Sequence, residues 1–223
     1  MTQDLKDRLL DAALAHVPFD GWSDRSLRAA ATDAAIDPAL ARALFPRGGV
    51  DLALAYHARG DAAMVAALAA ADLSAMRFRD RIAFAIRTRL ELADRELVRR
   101  GTTLFSLPQH AADGARAIWT TADRIWTALG DSSQDLNWYT KRATLSAVCG
   151  ATVLYWLGDD SSDHQATWDF LDRRIEGVMQ FEKLKANLKE NPLGKGLFSG
   201  PFKVMQGIKA PKLPDNLPGL RRD

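Results

Sequence analysis

The chain has 223 residues, 47% apolar and 26% charged, with a net charge of +2 and a single cysteine, Cys149. That composition is ordinary for a globular protein. One cysteine excludes an internal disulfide framework, and no apolar run approaches the roughly 18 residues of a membrane span.

Nearly every segment reads as helix. Residues 4–17 place Leu5, Leu9, Ala12, Ala13 and His16 on one stripe, which Pro18 and Gly21 end. A second helix starts near Ser23, a natural N-cap, and carries Leu27, Ala30 and Ala31. Asp37-Pro38 opens a third: the aspartate caps orphan amides, and proline takes the first helical position, where no donor is missed. Pro46 and Gly48-Gly49 close it. Longer helices are predicted over 51–72, 75–100, 108–129, 133–157 and 163–189, with Ser132/Asp135 and Ser162/Gln165 as capping boxes and Gly130 and Gly158 at helix ends. Asp159-Asp160 reads as a solvated turn. No useful β-alternation occurs, so the fold class is all-α.

The familiar enzyme signatures are missing: there is no Gly-rich phosphate loop, Cys-x-x-Cys or His-Glu-x-x-His. His16, His57, His110 and His164 are scattered and read as surface or packing residues. The pattern calls for no catalytic group, no cofactor and no metal.

Three short helices followed by long ones resemble the TetR repressor family, with its N-terminal helix-turn-helix and C-terminal ligand-binding helices. A reading helix needs donors that reach bases and phosphates. Here it is "PALARALF", residues 38–45, with Arg42 as its single polar side chain. Residues 1–47 hold six basic groups against seven acidic ones, and a net-negative head is a poor start for phosphate neutralisation. The expectation is a scaffold that keeps the shape without the chemistry, and no nucleic-acid partner. The alternative is a ligand-responsive DNA-binding repressor of ordinary TetR type.

The far end differs. Residues 181–223 carry 9 Lys and Arg against 4 Asp and Glu, a net of +5, while the rest of the chain stands at −3. A basic tail on a mildly acidic body points to an anionic partner. Within "LGKGLFSGPFKVMQGIKAPK", residues 193–212, a helix would gather Leu197, Phe198, Pro201, Phe202, Val204, Met205 and Ile208 within an arc of about 160°. Lys203 falls on the other side, and Lys195 and Lys209 lie near the apolar edges, where they can reach lipid headgroups. Half-burial of five such side chains amounts to about 4–7 kcal/mol, enough for reversible attachment to an anionic membrane surface. The same face could instead pack on the protein's own core.

"QDLNWYTKRATLSAVCGATVLYWLGDDSSDHQATWDFLDRRIEGVMQFEK", beginning at Gln134, resembles the ubiquinone-biosynthesis accessory lipid-binding family, the ninth of the Coq proteins. The most specific pieces are Asn137-Trp138-Tyr139-Thr140-Lys141-Arg142 and Thr167-Trp168-x-Phe170-Leu171-x-Arg173-Arg174, with Ala122-Asp123-Arg124-Ile125-Trp126 upstream. The resemblance implies a TetR-like fold without repressor function, a pocket for isoprenoid or quinone-type lipid, a C-terminal amphipathic helix and a homodimer. It implies a non-catalytic role in ubiquinone biosynthesis: presenting a quinone intermediate to the demethoxyubiquinone hydroxylase. Asp135, Trp138, Tyr139 and Arg142 fall on positions that this family uses for that partner. Spacing alone also allows Trp138 to be core, beside Val153 and Trp156, and Asp135 to be the acid of a capping box.

The expected division is a degenerate helix-turn-helix domain over 1–47, a lipid-binding and dimerisation domain over 48–192, and an amphipathic tail over 193–223. Ile82, Ile86, Leu90, Ile118 and Cys149 lie on inward faces and are the expected pocket lining, although filling a solid core would suit them equally. Because "MTQDLKDRLLDAALAHV" has neither signal-peptide nor presequence character, the expected location is cytoplasmic, peripheral on the inner face of a bacterial cytoplasmic membrane.

Overall fold

The computed structural model describes residues 2–134 and 136–190, with side chains described to residue 180. Its helices are α1 (Thr2–Leu14), α2 (Val17–Asp20), α3 (Asp24–Asp33), α4 (Pro38–Leu44), α5 (Gly49–Ala70), α6 (Phe78–Glu91), α7 (Arg95–Phe105), α8 (Ala111–Ala128), α9 (Leu136–Leu157) and α10 (Gln165–Glu190). A 3₁₀ turn, Ser162–His164, precedes α10, and there is no strand among the described residues. Asp135 and the whole tail segment, with Leu197, Phe198, Pro201, Phe202, Val204, Met205, Ile208, Lys195, Lys203 and Lys209, lie outside the described residues.

The capping residues set the helix starts. Ser23 Oγ accepts from the Ser26 amide, and Asp37 Oδ1 accepts from Ala39 and Leu40, at 2.9 and 3.1 Å. The predicted helix over 75–100 is two helices. Asp94 accepts from the Leu97 amide at 3.0 Å and starts α7 afresh, so the chain turns after Leu92. Asp159 is likewise no solvated turn residue. It is 5% exposed and caps α10, accepting from the Ser161 and Thr167 amides at 2.8 and 2.9 Å. Hydrogen bonds from Thr167 and Ser161 hold its carboxyl well below the usual range. The predicted box at Ser162 and Gln165 is displaced by this cap.

Two apolar clusters form. One gathers Leu9, Leu10, Ala13, Leu27, Ala30 and Phe45 from the short helices, and takes in Leu52 and Ala53 of α5 and Leu97 of α7. The other joins Met64, Ile86, Leu90, Ile125, Leu145, Trp156, Trp168 and Leu171 of the long helices. Full burial of each large aliphatic side chain is worth about 1.5–3 kcal/mol, so this sharing ties head to bundle. Trp22 strengthens the tie, its Nε1 donating to the Leu97 carbonyl at 3.0 Å. The approach is close at Gly49, where a Cβ would stand 2.3 Å from the Trp22 carbonyl carbon. At the same end of α7, Arg95 donates to the Leu157 and Asp159 carbonyls, at 3.0 and 2.7 Å, and so holds α7 against the C-terminus of α9.

Candidate functional site

Where α5, α6, α7, α8 and α9 meet, they leave a cavity of about 350 Å³. Most of its wall is aliphatic or aromatic: Trp22, Ile86, Leu90, Phe105, Ile118 and Val153 among others. The cavity is open to the surface, and its lining includes exposed residues, Leu154 at 63% among them. Its volume falls at the lower end of the roughly 300–1,000 Å³ typical of ligand pockets. A cavity of roughly 150 Å³ already accommodates benzene, so this one has room for a ring and a short tail.

Four of the five residues expected to line a pocket meet at this cavity: Ile86, Leu90, Ile118 and Cys149. Ile82 does not. One turn back along α6, it faces a neighbouring hollow of about 180 Å³ against Trp126, Leu145 and Ile175. Gly150 opens the α9 side, since a Cβ there would meet only Ile118 Cδ1, at 3.7 Å. Burial pushes the Cys149 thiol up to about 12, so the sulfur serves as a small apolar wall atom rather than a nucleophile.

One stretch of wall is polar. Asp61 on α5 is fully buried and accepts from Arg89 Nε at 2.8 Å and from Thr121 Oγ1 at 2.9 Å. Arg89 Nη2 also donates to the His57 carbonyl at 3.1 Å. His57 Nε2 lies 2.8 Å from Thr121 Oγ1 and 3.1 Å from the Ala117 carbonyl. Burial lowers the His57 pKa and outweighs the pull of Asp61. Gly60 makes room for this cluster, because a Cβ there would stand 2.6 Å from Arg89 Cζ. Sequence reasoning passed over the cluster. Its traces are His57 and Asp61, one turn apart inside the apolar run "LALAYHARGDAAMVAALAA", and Arg89 on the apolar stripe of α6.

A second feature sits at the start of α9. Trp119, Trp138 and Tyr139 form a half-buried aromatic patch, with ring centroids 6.0 Å apart for Trp119–Trp138 and 4.8 Å for Trp138–Tyr139. Arg142 does not share their exposure. At 2% it is buried beneath Trp138, donating to Asp123 through Nε and to Asp131 through Nη1 at 3.0 Å. The expectation that Arg142 itself offers a contact surface is therefore corrected: both carboxylates hold its guanidinium inside. Lys141 Nζ completes the Asp131 site at 2.7 Å. Burial pushes the Asp131 carboxyl upward, but hydrogen bonds from Lys141, Ser133 and Arg142 outweigh it and hold the group at about 2.

Arg42 and Arg47, the basic residues in and after α4, are paired. Arg42 donates to Asp24 at 2.8 Å, and Arg47 engages Asp51 and Asp113, each at 2.9 Å. At the end of α4 the C-cap Phe45 is 2% exposed and packs inward, while Leu40 of α4 faces out. Among the described residues no cluster of metal-binding side chains occurs, and no helix is long and apolar enough to cross a membrane.

Residues 111–182, which span α8, α9 and most of α10, match the family model described as COQ9. This segment contains the whole aromatic patch and one side of the cavity. The chain is COQ9-like. It is 31% identical over 186 residues to the mitochondrial ubiquinone biosynthesis protein COQ9 of Drosophila melanogaster, covering 81% of this chain and 57% of that protein. The human COQ9 protein is 28% identical over 229 residues, covering 99% of this chain and 69% of that one. A Dictyostelium discoideum relative is 26% identical, with 84% and 64% covered. The chain thus spans less than two thirds of the fly and Dictyostelium proteins. Among solved structures, a TetR transcriptional regulator from Nitrosomonas europaea superposes with a TM-score of 0.63 at 18% identity, over 79% of this chain and 99% of that one. The fold of this COQ9-like chain is therefore all-α and TetR-like, as expected from its sequence. The expected bacterial location is not upheld: the relatives are mitochondrial proteins of eukaryotes, which contradicts a place on a bacterial cytoplasmic membrane.

Proposed function

We propose that this COQ9-like chain is a non-catalytic accessory protein of ubiquinone biosynthesis that holds an isoprenoid or quinone-type lipid and presents it to the demethoxyubiquinone hydroxylase. One observation carries this reading: a largely apolar cavity of about 350 Å³, open to the surface and polar at one stretch of wall, in a chain with COQ9 relatives. A cavity of that size holds the head and first segment of a long lipid, and the remaining tail leaves through the mouth. Trp119, Trp138 and Tyr139 suit the hydroxylase contact, because such rings bury much area at low entropic cost. Residues 193–209 supply reversible attachment to an anionic membrane surface, and the working unit is a homodimer. The repressor reading gains nothing from the head, whose Arg42 and Arg47 are already engaged by carboxylates.

The test is organic extraction and mass spectrometry of protein purified without detergent. A stoichiometric isoprenoid or quinone-type lipid is expected. Protein that is lipid-free and also takes up no such lipid from vesicles overturns the reading.

A further inference from the structure

The hydrogen-bond chain beside the cavity has a fixed direction. Asp61, fully buried and paired with Arg89, only accepts. Thr121 has one hydroxyl proton, and its best acceptor is that carboxylate, with oxygens at 2.9 and 3.1 Å; the alternative, the neutral Ala117 carbonyl, is at 3.3 Å. The lone pairs of Thr121 Oγ1 are then left to accept from His57. The other neighbour of His57 Nε2 is the Ala117 carbonyl, which accepts by nature. Both partners of Nε2 are acceptors, so Nε2 carries the ring proton. In the neutral imidazole Nδ1 is then a bare acceptor.

His57 is part of the cavity wall. In the nearby guanidinium, Arg89 Nε and Nη2 are bound to Asp61 and the His57 carbonyl, and its plane lies over Gly60, whose Cβ would stand 2.7 Å from Nη1. The stretch of wall at His57 therefore offers an acceptor, while the Tyr56 and Thr102 hydroxyls of the same lining can serve as donors.

Building on the lipid-holding role above, we propose that the cavity selects ligands whose head carries a hydroxyl donor, such as a phenol or hydroquinone ring, over the matching ether, with the ligand O–H donating to His57 Nδ1. A ligand without that proton sets its own lone pairs against that of Nδ1 and leaves a desolvated acceptor unsatisfied.

The probes are 4-octylphenol and 4-octylanisole, which differ by one methyl group on the oxygen, titrated calorimetrically into the full chain. Apolar burial alone favours the ether, so a preference for the phenol isolates the hydrogen bond. The expected preference is about tenfold, as one hydrogen bond at a partly buried site supplies. In His57→Phe and in Thr121→Val the ratio should fall towards one. If both probes bind the wild type equally, the donor requirement is overturned while the lipid cavity stands. If neither binds, both readings fall. A preference that persists undiminished in a folded His57→Phe protein overturns the assignment to His57. Should the variants not fold, nitrogen NMR of the wild-type imidazole decides. Nε2 should be protonated, and the Nδ1 resonance should move on adding the phenol but not the anisole. A protonated Nδ1, or no movement, overturns the proposal.

Discussion

The Arg142 guanidinium lies 4.0 Å from the centroid of the Trp138 ring while its Nη1 donates to the Asp131 carboxylate. Arg142 is therefore a strut under the aromatic patch, carrying the ring on one face and held by acids at its edge. Arg142→Met keeps the stem but strands the buried Asp131, which retains only Lys141 as a cation. The expected loss is about 3 kcal/mol, at the low end for a broken buried pair. For a chain of this size that is a fall in melting temperature of roughly 6–12 °C. Scanning calorimetry measures it, and a change within a degree or two would contradict the strut role.

Asp131 also sets an acid limb. Its folded pKa of about 2 lies below the ordinary value of 3.8, so its contribution to stability is fully present above about pH 4 and is lost as pH falls through about 2. Asp131→Asn should lower stability at neutral pH and flatten the pH dependence between about 4 and 2. Urea midpoints measured across that window test both halves; parallel curves for the two proteins would refute it.

At the cavity wall, Arg89→Met leaves the fully buried Asp61 without its counter-ion and should cost about 3–5 kcal/mol. Asp61→Leu strands the arginine to similar effect. The double variant removes both charges and should recover a large part of either loss, since replacing a whole buried pair is often near neutral. A double variant as unstable as the sum of the two single ones would mean that the pair does not act as a unit.

Two glycines should respond in opposite senses. Gly49→Ala drives a methyl group into the Trp22 backbone, where nothing can swing aside, and should destabilise by about 1–3 kcal/mol. Gly177, exposed within α10, has nothing within 4 Å of its would-be Cβ. Gly177→Ala should stabilise by about 0.5–1 kcal/mol through helix propensity alone. Thermal melts of the two variants should move apart from the wild type in opposite directions.

Gly150→Leu places a branched side chain in the cavity from α9. The fold should keep its stability, because a helical glycine is replaced and the new atoms enter empty space. Ligand affinity should fall at least about tenfold, a loss of roughly 1.4 kcal/mol. Unchanged binding with an unchanged melting temperature would move the ligand away from this cavity.

The helix starts at Ser23 and Asp37 are legible in the sequence because capping is local chemistry, settled within three residues. The break before Asp94 is not, since Leu90, Ala93 and Leu97 keep helical spacing across it and only tertiary packing reveals the turn. Ile86, Leu90, Ile118 and Cys149 can be placed on inward faces by periodicity, but periodicity does not distinguish a filled core from a hollow one. The hollow depends on small residues in its lining, such as Gly150 and Gly114, whose partners across the helices periodicity does not show. The polar cluster is less accessible still. It joins His57 to Thr121 across 64 positions, and each residue alone reads as unremarkable.

Trp22 belongs to two neighbourhoods at once, the core of the short helices and the wall of the cavity, and its indole is fastened to the Leu97 carbonyl. Filling the cavity therefore changes the surroundings of a residue on which the head is built. In a regulator that contact would be the first step by which an effector moves a DNA-reading surface. Here the same contact stands beneath a head whose α4 presents mostly alanine and leucine, with little left to read. The same indole, with its tyrosine neighbour Tyr56 at 5.4 Å, gives the protein an optical gauge of its own filling.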